Sequence, residues 1–221
     1  MKKLINNIIN LEKNDKTMFF LIFTTSGNIL IAIIKFIFSL TIPSLWFFVN
    51  ACFLTVLSIS RFFSIKNYGI RRTLKDEKLK KEIGYKNYLH NGILLILLGI
   101  MYFFVSVYMY YKGTNTTMHE YLTYLVALNA FWSISFAIVG MVKYKRDQSP
   151  ILKAVKMTNF ANALTSIVLT QVVLLDTYAS EFDLAKTNGY TGMAVSLIIM
   201  IMGIYMIINI QSYLDKIDNK K

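Results

Sequence analysis

The chain holds very little with which to do covalent or metal chemistry. Its 221 residues include one cysteine, Cys52, and two histidines. A lone cysteine rules out an intrachain disulfide and leaves the redox compartment unread. His90 and His119 each stand without a second histidine three or four residues away, and no carboxylate pair lies near, so nothing has metal-ligand spacing. No glycine loop of the phosphate-binding kind is present, and no nucleophile stands beside a base. Catalysis therefore has no residues behind it, and no cofactor is expected. Acidic residues are scarce, 12 Asp+Glu against 24 Lys+Arg. None of them falls in the middle of an apolar run, which argues against a carboxylate proton relay or a hard-cation cage. Soluble-looking stretches are also missing: none exceeds about 25 residues, too few for an independent aqueous domain.

What the chain has is apolar length. Hydrophobic residues make up 55% and the mean hydropathy is +0.49. Runs of about 20 apolar residues, long enough to cross a hydrocarbon core, recur throughout. Six spans are drawn, at about 18–40, 44–63, 89–111, 120–142, 152–175 and 190–210. The runs are long and continuous and lack the short alternation of a membrane barrel, so helices are expected. The fold class is an all-α membrane protein, a six-transmembrane-helix bundle.

The formal charge of +12 would also suit a nucleic-acid binder, but the basic residues lie between apolar spans and act first as a topology signal. On one side lie Lys2, Lys3, Lys13 and Lys16, then the Lys66–Lys86 group, then Lys143, Lys145, Arg146 and Lys153, then Lys216, Lys220 and Lys221; nineteen in all, against only Lys112 and Lys186 opposite. That excess puts both termini in the cytoplasm of a multi-pass cell-membrane protein, with the lipid bilayer as its partner and no role for nucleic acid. Residues 1–17 are too polar for a signal peptide. Leu4, Ile5, Ile8, Ile9 and Leu11 recur at helical spacing, which predicts a cytoplasmic amphipathic segment on the inner surface, ahead of the 18–210 membrane domain and a 211–221 tail. The charged loop 64–87 contains strong helix formers in RRTLKDEKLKKEI and is either a solvated positive-inside loop or a contact for anionic lipid. The outer loop 176–189, with Asp176, Glu181 and Asp183, reads as solvated.

Within the spans, Lys35, Arg61 and Lys156 are near enough to an end to snorkel to the interface. What remains is amide and hydroxyl chemistry: Asn28, Asn50, Asn129 and Asn162 each lie inside a span. Thr158, Asn162 and Thr165 follow i, i+4, i+7 along one helical face, with Ser166 beside them. Such a stripe either lines a hydrated path or packs helices together.

Asn28 and, seven residues on, Lys35, then Pro43-Ser44-Leu45 and Val49-Asn50-Ala51, resemble the transmembrane domain of the cation diffusion facilitator family. Members commonly show Asn and Lys at that spacing, then Gly-Ser-Leu, then Ala-Asp-Ala, then His or Asp, three residues and Asp. Ser149-Pro150-Ile151-Leu152-Lys153-Ala154 and Asn162-Ala163-Leu164-Thr165-Ser166 are similar to the stretch leading into and through the family's fifth span. Ile83-Gly84-Tyr85-Lys86 resembles its Gly-Tyr-Gly-Arg element. The resemblance covers roughly residues 20–210 and implies six spans with both ends inside, a bundle of cation-efflux type and, as often in the family, a homodimer. It also implies a metal site, and here this chain departs. The four ligand positions fall on Phe53, Leu57, Thr158 and Asn162, and the Asp of Ala-Asp-Ala is Asn50. Phe and Leu cannot ligate, and neutral Thr and Asn are poor zinc ligands, so no metal is expected. The eleven or so residues after the sixth span leave no room for the family's cytosolic domain.

The expectation is a cation-efflux-like transporter with altered or lost metal specificity. It would move a cation or small polar solute along a path lined by Asn28, Asn50, Thr158, Asn162 and Thr165. The alternative is a non-transporting membrane protein that binds a partner protein or lipid.

Overall fold

The computed structural model describes residues 13–41, 45–113, 120–144, 149–178 and 184–218, with side chains apart from 13–21, 24, 143–144 and 211–218. The amphipathic segment expected over 1–17 lies almost wholly outside these, and so does His119. Among the described residues all regular structure is helical, in six helices: α1 (Lys13–Thr41), α2 (Leu45–Thr73), α3 (Glu77–Lys112), α4 (Glu120–Tyr144), α5 (Pro150–Tyr178) and α6 (Leu184–Asp218). Five of them, α2 to α6, are long and apolar enough to cross a membrane by length and composition; the side-chain-resolved part of α1 adds a shorter apolar stretch, Thr25–Thr41.

Helix ends follow local chemistry. Gly113, at φ +80°, closes α3, its N–H donating to the Met109 carbonyl at 2.9 Å. Pro150 stands in the first turn of α5, where its missing N–H costs nothing, and the Ser149 carbonyl accepts the Lys153 N–H at 3.1 Å. The segment 64–87 is not an open loop. α2 continues to Thr73 and α3 starts at Glu77, leaving three residues between them. The break falls at Asp76, whose carboxylate accepts the Lys78 N–H at 2.8 Å as an N-cap. Arg71 and Arg72 complement the C-terminal end of α2. On α3, Lys80 hydrogen-bonds Glu77 at 2.6 Å and holds its carboxyl below the usual range. The 176–189 segment differs too: α5 reaches Tyr178 and α6 begins at Leu184, and Asn188 Nδ2 donates to Asp176 Oδ1 at 3.5 Å.

α5 is the hub, packing against α2, α3, α4 and α6. α3 and α6 form the closest pair, because glycines let their backbones approach. A Cβ on Gly203 would come within 2.7 Å of the Gly92 carbonyl oxygen, and one on Gly99 within 3.1 Å of the Ser196 carbonyl. Small residues at a helix seam are how membrane bundles gain dispersion contact where lipid removes the hydrophobic drive. The core between these elements holds Trp46, Phe47, Phe53, Leu57, Tyr88, Leu95 and Tyr102, with Val168, Val172 and Val173 of α5. α4 packs chiefly on α5 and exposes Leu128, Phe131 and Trp132. At one end of the bundle, Gly84 faces the Pro150 ring, and Arg71 donates to Ser149 Oγ at 2.9 Å.

Candidate functional site

The polar residues of the spans converge on one face of α2. Asn50 is its centre, only 1% exposed. Its Oδ1 accepts from the Lys35 ammonium of α1 at 2.6 Å, and its Nδ2 donates to the Thr165 carbonyl of α5 at 3.1 Å. One amide thus ties three helices. The sequence reading had Lys35 snorkelling to the interface. The structure corrects this: Lys35 is 6% exposed and turned inward, because Asn50 offers a partner where lipid offers none.

The candidate residues share this seam. Asn50 sits opposite Thr165, and Arg71 opposite Ser149, so α2 and α5 run antiparallel in steady register. Thr158, Asn162, Thr165 and Ser166 are all buried. The Thr158 hydroxyl donates to the Val155 carbonyl at 2.9 Å and that of Thr165 to the Asn162 carbonyl at 3.0 Å. Both are satisfied by their own helix. Asn162 Oδ1 and Ser166 Oγ, by contrast, are buried with no hydrogen-bond partner among the described residues. Asn28 is half-buried on α1, seven residues before Lys35. Asn129 is half-buried on α4, a helix that packs chiefly on α5, and does not join the group.

Phe53 and Leu57 are buried core residues, with Phe53 stacked edge-on against Tyr102 at a centroid distance of 6.0 Å. Both present only carbon to their surroundings. Among the described residues no three His, Cys, Asp or Glu come together.

Arg61 departs most from the sequence reading. It was expected to snorkel, yet it is 1% exposed, and Nε, Nη1 and Nη2 all lack a hydrogen-bond partner among the described residues. It stands eleven residues, or about three turns, past Asn50 and so on the same helical face. A second polar cluster was missed outright. Ser60 Oγ donates to Asn91 Oδ1 at 2.6 Å, Ser64 Oγ to Asn87 Oδ1 at 3.1 Å, and Asn91 Nδ2 to the Asn87 carbonyl at 2.8 Å. The signal was present as two matched i, i+4 pairs, Ser60/Ser64 and Asn87/Asn91, one on each side of the α2–α3 turn.

Among the described residues, two of the crevices on the bundle are lined as follows. One of about 440 Å³ lies between α4 and α5, lined by Ala130, Phe131, Ile134, Ile167 and Gln171. The other, of about 430 Å³ between α2 and α3, is lined by Ser60, Asn67, Asn87, His90 and Asn91 with Phe63 and Leu94. Neither reaches Asn50, Thr158, Asn162 or Thr165. In comparisons with known proteins, no family model and no curated protein matches this chain.

Proposed function

We propose that the protein is a six-span cell-membrane transporter of cation-efflux-like arrangement, both termini cytoplasmic, whose cargo is a small polar solute and not a divalent metal. The observation that carries this reading is the seam on α2. Polar side chains of α1 and α2 meet a backbone carbonyl of α5 there, and Asn162 Oδ1 and Ser166 Oγ of α5 are buried without partners among the described residues. A stranded polar atom costs about 1–3 kcal/mol, which a solute or water in the seam would offset.

Electrostatics narrows the cargo. Lys35 and Arg61 put two buried cations on this face of α2, and α2 itself carries no Asp or Glu. A divalent metal entering here would meet like charge and the carbon surfaces of Phe53 and Leu57. The six-span count draws support from α1, whose 29 residues extend about 43 Å as a helix, longer than a hydrocarbon core of about 30 Å. The orientation rests on the basic asymmetry.

The test is accessibility combined with flux. In a Cys52→Ser background, cysteines at Thr158, Asn162 and Thr165 should react with small polar thiol reagents while those at Leu164 and Val168 stay protected. Proteoliposomes should pass at least one solute from a panel of small polar and charged species. Uniform protection of all five positions, with no flux, would remove the transport reading. It would favour the alternative of a non-transporting protein that binds a partner or lipid, which the exposed Phe131 and Trp132 of α4 also suit.

A further inference from the structure

We propose that Arg61 is the binding site for a small monovalent anion with two acceptor oxygens, of the formate or nitrate class. A fully buried guanidinium with none of its donors used is costly to keep: a buried charge is tolerated when paired and hydrogen-bonded, and strongly penalised otherwise. All three Arg61 nitrogens are in that state among the described residues. Among the described residues no free carboxylate stands at this level: Glu77 and Glu82 of the neighbouring α3 pair with Lys80 and Lys86 nearer that helix's start. α2 has no Asp or Glu between Leu45 and Thr73, α5 has only Asp176 near its far end, and α1 has only Asp15, ten residues before Thr25.

The surroundings suit an anion. In the antiparallel register of α2 and α5, Arg61 is about level with Met157, between the half-buried Lys156 and the buried Thr158. Counting along α1 from Lys35 opposite Asn50, it is also about level with Thr25. Thr25 Oγ1 is itself buried without a partner among the described residues, so a hydroxyl donor stands ready at the same depth. The guanidinium's planar fork selects for two oxygens at once, and its single charge selects for a monovalent partner. Arg61 lines neither of the two described crevices. The inference concerns binding and holds whether or not the seam conducts. Its bearing on cargo rests on the transport reading above.

The experiment is thermal unfolding of the detergent-purified full chain in potassium formate, nitrate, chloride or gluconate at matched potassium concentration. Formate and nitrate should raise Tm saturably, by about 5 °C near saturation, with chloride weaker and bulky gluconate inert. Arg61→Met should abolish the response. Arg61→Lys should keep a response but lose the preference for formate over chloride, because an ammonium is a point charge without the fork. Lys66→Gln, an exposed lysine five residues on, should leave the response intact. Equal Tm in all four salts for the unaltered protein would overturn the proposal. An undiminished response in Arg61→Met would also overturn it, by putting the anion elsewhere. Formate binding at Arg61, together with uniform protection of the five cysteine positions and no flux of any solute in the panel, would sink the transport reading and leave this one standing.

Discussion

Asn50→Leu tests whether the three-helix tie is what holds α1 to the bundle. The substitution removes two hydrogen bonds of unequal worth. The Asn50–Thr165 bond is neutral and interhelical, a class worth about 0.6 kcal/mol in membrane bundles. The Lys35–Asn50 bond, at 2.6 Å, involves a charged donor and is worth about 1.5–3 kcal/mol, so it dominates. Asn50→Leu should therefore cost about 3 kcal/mol, most of it from stranding the Lys35 ammonium. Lys35→Met strands only a neutral acceptor and should cost about 1–2 kcal/mol. The double variant strands nothing and should be less destabilised than Asn50→Leu alone, with a coupling of about 2 kcal/mol. Reversible unfolding in mixed micelles, read by helical circular dichroism across the four proteins, measures the cycle. Additive losses would refute the reasoning, for they would mean that Lys35 finds water or another partner as soon as Asn50 is gone.

Three further outcomes are expected. Gly203→Leu should separate α3 from α6, since even a Cβ there would lie 2.7 Å from the Gly92 carbonyl, and should lower stability by more than Ile204→Leu at the neighbouring exposed position; equal effects would remove the close-seam argument. With Cys52 replaced, cysteines at Lys112 and Lys186 should react with an impermeant thiol reagent in intact cells and one at Lys78 only after permeabilisation; labelling of Lys78→Cys from outside would reverse the orientation. All three of these lysines are exposed, whereas Asn188, close by, is fully buried and a poor probe. Calorimetry should detect no high-affinity zinc site in the membrane domain, while Phe53→His, Leu57→Asp, Thr158→His and Asn162→Asp together should create one; submicromolar zinc binding by the unaltered protein, lost with Asn162→Ala, would contradict the exclusion.

The helices of this fold were legible because apolar length alone specifies them, and the fifth-span stripe because i, i+4, i+7 spacing puts Thr158, Asn162 and Thr165 on one side whatever they face. Which partner a polar side chain chooses was not legible. Lys35 and Arg61 lie within reach of a span end, and from sequence a long basic side chain near an end is assumed to stretch toward water. Whether it does depends on which helix stands beside it, a tertiary fact. Asn50 supplies the answer for Lys35 and leaves Arg61 without one. The strong helix formers of 64–87 already allowed a helix there, and the structure carries α2 and α3 through it with a break at the Asp76 cap; what the sequence did not show was where that break falls.

That helical hairpin has a mechanical consequence. α2 and α3 run about 43 and 54 Å as helices, so in the proposed orientation a stiff, basic prong of roughly 15 Å stands clear of the inner face. The same rigid rod that carries Asn50 and Arg61 ends at Arg71, which is fastened to Ser149 at the start of α5. A tilt of α2 by about 10° about Arg61 would move the tip of the prong, some 20 Å away by the helical rise, by about 3.4 Å. In the proposed orientation, occupancy of the seam would thereby be geared to a part of the molecule that a cytoplasmic protein or the lipid headgroups can touch, and a spectroscopic label at Leu74 would register events taking place some 20 Å deeper, at Arg61, by the same helical rise.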